Sequence, residues 1–130
     1  MAPLFFLCVS VVLFGGAIYF LGTASHHALL DDVASLRLPG CFAMTETGHG
    51  SNVRALGTTA TFDPRTDELV VHTPDRAAWK DYIGNAAVHG RLAVVFAQLV
   101  VGEDRPGVHA VLVPIRDEHG QPMPGVHIED

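Results

Sequence analysis

No Asp, Glu, Lys or Arg occurs before Asp31, and within that charge-free stretch residues 3–21 form one apolar run broken by a single serine, Ser10. Such a segment cannot stand in water as a free helix. It must either pack into a protein core or enter a bilayer, which roughly 20 apolar residues suffice to span. Three features weigh toward a core. No Lys or Arg precedes the run, so the basic n-region of a signal peptide is missing. The first basic residue is Arg37, which leaves no positive flank to orient a membrane span. Gly15 and Gly16 interrupt the run in the manner of close helix packing. A fully buried helix therefore ranks first, a membrane span second and a signal peptide third.

The sequence of 130 residues suits one domain rather than two. Charged residues make up 17%, against about 25% in ordinary soluble domains. The deficit is concentrated in the first thirty residues. Net charge is −6 and no run of basic residues exists, which argues against a nucleic-acid partner. An anionic cofactor stays open, because backbone N–H groups hold phosphate without side-chain charge. Cys8 and Cys41 fit neither a zinc pattern nor a disulfide framework and read as small buried thiols.

Leu29, Leu30, Val33 and Leu36 are spaced as one helical face, with Thr23 or Ser25 as the cap and Pro39-Gly40 as the stop. Thereafter alternation and turn signals predict strands at 41–46, 55–63, 68–73, 91–101 and 108–115, the fourth of them central. Asp63-Pro64 turns a hairpin, 102–107 is a turn, and 126–130 begins a further strand. The expected fold class is α+β: N-terminal helices, then a mainly antiparallel, barrel-like sheet incomplete at its C-terminal edge. The expected division is a helical tail at 1–39 and a β domain at 40–130. The charge-free start and the unfinished last strand suggest a chain cut from something larger.

Gly40 to Asn52, GCFAMTETGHGSN, puts a strand end before a loop in which Gly48 and Gly50 bracket His49, with Ser51 adding a hydroxyl. A loop of this kind can cradle a pyrophosphate while the strand end faces a ring. On spacing alone the signal is weak. The longer run PGCFAMTETGHGSNVRALGTTATFDP, however, resembles the middle-domain signature of the acyl-CoA dehydrogenase and oxidase superfamily, and its Gly-His-Gly version resembles the oxidase branch. The likeness continues in order through Lys80-Asp-Tyr-Ile-Gly-Asn85, Val95-Phe-Ala-Gln-Leu99 and His109 to Arg116. Upstream, residues 13–17 and 21–27 look like the end of that family's helical N-terminal domain.

The resemblance implies FAD as cofactor and an acyl-CoA and O2 as substrates. It implies αβ-dehydrogenation to a trans-2-enoyl-CoA in fatty acid β-oxidation, with hydrogen peroxide formed by O2. Thr45 matches the threonine that contacts the flavin ring, Met44 the adjoining strand, and Gly50 and Ser51 the turn near the pyrophosphate. Tyr82 and Gly84 match a second flavin-contacting segment. Where dehydrogenases carry threonine, Gly84 would leave room near flavin N5 for O2. The catalytic glutamate belongs to the family's C-terminal domain, so no catalytic residue is expected in this chain, and Glu46 is not that base. The full-length protein would be a homodimer, peroxisomal in a eukaryote and cytoplasmic in a bacterium; no targeting signal is seen. The alternatives are an FAD-dependent acyl-CoA dehydrogenase, a small β protein anchored in a membrane by residues 3–21, and a non-catalytic remnant.

No metal site is expected. Neighbouring helical residues point about 100° apart, so His26 and His27 cannot easily share an ion. The remaining histidines are scattered, and His49 is expected to make a structural hydrogen bond.

Overall fold

The computed structural model describes residues 2–129. Helix α1 (Ala2–Leu7) runs through a π-helical stretch (Cys8–Gly15) into α2 (Gly16–Leu21). Val9, Ser10, Phe14, Gly15 and Ile18 are buried. Leu4, Phe5, Val12, Tyr19, Phe20 and Leu21 remain exposed. The stretch Leu4–Leu21 is long and apolar enough to cross a membrane, and 33% of it is buried within the chain. Full burial is therefore not what these residues provide: an all-round apolar helix is covered here on the face it packs with and bare on the rest.

Gly22 leaves the helix in an extended conformation. Thr23 caps α3 (Ala24–His27): its backbone N–H donates to His26 Nδ1 at 2.9 Å while its side chain accepts the backbone N–H of His26, the third helical residue. His27 Nε2 lies 3.0 Å from the Tyr19 carbonyl oxygen. Both histidines thus have local structural roles. Helix α4 (Leu30–Ala34) buries Val33. Leu36 does not join that face; it sits at φ 60° beyond the helix end and is exposed.

Strands β1 (Gly40–Ala43), β2 (Thr59–Asp63), β3 (Glu68–His72), β4 (Leu92–Val101) and β5 (Asp104–Pro114) form a five-stranded sheet in the order β1-β4-β2-β3, with β5 pairing β4. Helices followed by a sheet agree with expectation, but the sheet is mixed and open. β2 and β3 pair antiparallel from Thr59↔His72 to Asp63↔Glu68, whereas β2 and β4 pair parallel from Thr59↔Gln98 to Thr61↔Val100. Residues 73–91 carry the chain past β2 so that β4 enters on its free side running the same way. Local strand signals do not encode that choice. The 102–107 turn is only two residues long. Gly102, at φ 60°, makes the reversal, and β5 already begins at Asp104. Residues 126–129 are not a strand.

The chain divides into two compact units, one of Met1–Phe42, Ile83–Val94 and Leu112–Asp130, the other of Ala43–Tyr82 and Val95–Val111. In the first, Phe14 is fully buried and Gly40 lies against its ring; Gly90 lies against Cys41. Asn85 Nδ2 reaches Ser10 Oγ at 3.0 Å, the Gly40 carbonyl at 3.3 Å and the Phe6 carbonyl at 3.4 Å. Ser10 is thereby a satisfied buried polar group in an apolar helix. Buried Arg116 donates to the Gly90 and Ala87 carbonyls at 2.8 and 2.6 Å. Burial pushes the Cys41 thiol up to about 11, against the opposing charge of Arg116, so it stays protonated and inert. In the second unit the hairpin turns on Asp63, whose side chain accepts the Arg65 N–H at 2.9 Å.

Candidate functional site

The expected 41–46 strand stops at Ala43 because the next residues change partners. The Met44 carbonyl accepts from Lys80 Nζ at 3.0 Å, and the Thr45 carbonyl accepts from the Asp81 N–H at 2.9 Å. Glu46 bridges Lys80 antiparallel, and Thr47 N–H donates to the Trp79 carbonyl at 2.9 Å. Residues 45–47 therefore lie along 79–81.

Glu46 also closes the glycine loop. Its N–H donates to the His49 carbonyl at 3.2 Å, and the His49 N–H returns to the Glu46 carbonyl at 3.0 Å. Gly48 N–H is not free for a ligand; it donates to the Ala77 carbonyl at 2.8 Å. Past the bridge the picture changes. Gly50 and Ser51 are exposed. Among the described residues none takes their N–H groups or Ser51 Oγ. Gly50 has no positive φ, and a Cβ there would meet nothing within 4 Å. The chain itself thus sets no steric demand for glycine at this position, and the bare backbone is open to a close approach from outside.

Beneath the loop the Glu46 carboxylate is 1% exposed. Oε2 accepts from the Gly57 N–H at 2.7 Å, and Oε1 accepts from the Thr58 N–H at 3.0 Å, Thr58 Oγ1 at 2.6 Å and Lys80 Nζ at 3.1 Å. Lys80 Nζ also donates to the Phe96 carbonyl at 2.7 Å. Its three protons meet three acceptors, Met44, Glu46 and Phe96, which satisfies an ammonium completely. Burial alone would raise the Glu46 pKa. The hydrogen bonds from Thr58, Gly57 and Lys80 outweigh it and hold the carboxyl below its ordinary value of 4.5. Burial pulls Lys80 down while Glu46 holds it up. With three acceptors at 3.1 Å or less, the ammonium is the form this site is built around.

A carboxyl with a lower pKa folded than unfolded stabilises the fold above the unfolded value and loses that contribution as pH falls through the folded value. The melting temperature is accordingly expected to fall as pH drops below the ordinary glutamate value of 4.5. In a Glu46→Gln variant this drop should be smaller; an unchanged acid profile in the variant would assign the loss to other carboxylates.

Met44 and Thr45 are half-buried, and Tyr82 is 90% exposed at φ 58°. Met44, Thr45, Gly50, Ser51 and Tyr82 share one unit; Gly84 belongs to the other. The space that a Gly84 side chain would fill is not open. A Cβ there would lie 2.9 Å from Val9 Cγ2 and 3.0 Å from Phe5 Cε1 and Cζ. The room anticipated at Gly84 for O2 is occupied by the N-terminal helix, since the glycine serves helix packing. Sequence reasoning missed the Glu46–Thr58–Lys80 network, as nothing in the spacing pairs residues 12 and 34 positions from Glu46. The only available signal was a lone glutamate between threonines at a strand end.

No protein-family model matches the chain. It is 51% identical, over 94% of its length, to peroxisomal acyl-coenzyme A oxidase 2 of Arabidopsis thaliana, and 42% identical, over 92%, to human peroxisomal acyl-coenzyme A oxidase 3. It covers 19% and 17% of those relatives. A crystal structure of acyl-CoA oxidase-1 of Caenorhabditis elegans, complexed with FAD and ATP, matches 95% of the chain with a TM-score of 0.91 and 35% identity, the chain covering 19% of it. Sheet, helices and loop thus correspond to part of an oxidoreductase. Relatives and structural neighbours alike are acyl-CoA oxidases, and the chain is homologous to one segment of them, spanning about a fifth of their length.

Proposed function

We propose that this chain supplies the flavin-facing β segment of an acyl-CoA oxidase, which desaturates an acyl-CoA to the trans-2-enoyl-CoA while O2 becomes hydrogen peroxide. The observation that supports it most is the exposed Gly50-Ser51 turn, whose N–H groups no described residue takes, in a chain that matches an FAD-bound acyl-CoA oxidase over 95% of its length. Residues 1–39 would be the tail of a helical domain and 40–130 the β domain. FAD, when bound, would accept the hydride. Gly50 and Ser51 would offer backbone N–H groups to its phosphates, and Met44 and Thr45 would border its ring. Tyr82 would complete the wall from the following segment. The base that removes the substrate proton would come from residues outside these 130, and the full-length protein would pair with a second copy of itself. A peroxisomal setting follows for a eukaryotic source, as in the named relatives.

The test is a titration of FAD into the isotope-labelled chain, followed by amide NMR. Because the relatives are five times longer, binding should be weak. The expected result is shift changes concentrated at Met44, Thr45, Gly50 and Ser51. Changes absent at saturating FAD, or confined to other segments, would refute the flavin reading.

A further inference from the structure

We infer that Glu46 and Lys80 form a positioning pair that fixes the flavin-contacting residues on either side of Glu46, and that they take no part in proton transfer. The inference rests on the flavin reading above and adds to it the device that holds the site in shape.

Glu46 sits between the two groups of proposed contacts: Met44 and Thr45 precede it, Gly50 and Ser51 follow its bridge to His49. The side chain of the same residue is locked from below by Gly57, Thr58 and Lys80. Lys80 ties that carboxylate to the Met44 carbonyl, inside the proposed contact segment, and to Phe96 on β4. One four-residue network therefore sets both the strand end and the start of the open turn. The carboxylate is 1% exposed and every acceptor position facing a donor is filled, so it has no access to a substrate proton. Preorganising a binding loop lowers the ordering cost of binding, so loosening the loop should weaken binding even where no contact is removed.

The test compares FAD titrations of wild type, Glu46→Gln and Lys80→Met with Val100→Ala, all at a temperature where each is folded. Val100 is buried in β4 opposite Thr61, so its truncation lowers stability without touching the network. The pair variants are expected to weaken FAD binding by roughly tenfold, and Val100→Ala to leave it nearly unchanged at a similar melting temperature. Equal affinity in the pair variants and wild type would overturn the inference, as would equal weakening in Val100→Ala. If Glu46→Gln fails to fold, Thr58→Val removes the 2.6 Å hydroxyl contact and keeps both charges. Weakened FAD binding in that variant supports the inference, and unchanged binding overturns it. A wild-type chain without FAD-dependent shifts at residues 44–51 would instead sink the flavin reading itself.

Discussion

Glu46→Gln is expected to lower the stability of the chain by about 3–5 kcal/mol, the cost of breaking a buried ion pair from one side. The amide can still accept from Thr58 through its oxygen. Its NH2 group cannot accept from Gly57, and it brings no charge to face Lys80. The ammonium keeps the Met44 and Phe96 carbonyls and the neutral amide oxygen but has no counter-charge, in a side chain 13% exposed. Urea denaturation followed by circular dichroism measures the loss. A change of less than about 1 kcal/mol would place the pair with weak surface salt bridges, contrary to its burial.

Gly40→Ala is expected to be the other severe substitution, at about 3 kcal/mol, the upper end of ordinary overpacking. The new methyl would overlap Cδ1, Cγ and Cε1 of the Phe14 ring. That ring has no exposed surface through which to swing away, and the Gly40 carbonyl is also held by Asn85. Gly16→Ala makes the comparison: a Cβ there meets nothing within 4 Å. In a helix interior alanine should stabilise by about 0.5–1 kcal/mol. Thermal melts of the two variants should move in opposite directions.

Much of the architecture could be read from local pattern. Residues 68–72 are rich in β-branched and apolar side chains, Asp63-Pro64 turns, and the run after Arg91 is apolar enough for a central strand; all three became what their patterns predicted. What escaped was set by distant partners. The parallel pairing of β2 with β4 depends on where the 73–91 segment delivers the chain. The end of β1 depends on Lys80 drawing Met44 away, and Leu36 left its predicted face because the helix had already ended. At the site, the order Thr45, Glu46, glycine loop was legible through family resemblance. Gly48 was misread as an open donor because Ala77, which takes its N–H, is 29 residues away in sequence. Gly84 was misread as a gap because its neighbours, Phe5 and Val9, come from the far end of the chain.

Lys80 is the only lysine in the sequence. The chain therefore carries a single side-chain amine, and all three of its protons are engaged beneath the loop. This turns one residue into a built-in chemical reporter. Attachment of an amine-reactive tag at residue 80, told apart from the α-amine by peptide mapping, would record how often that region opens, with no probe to engineer.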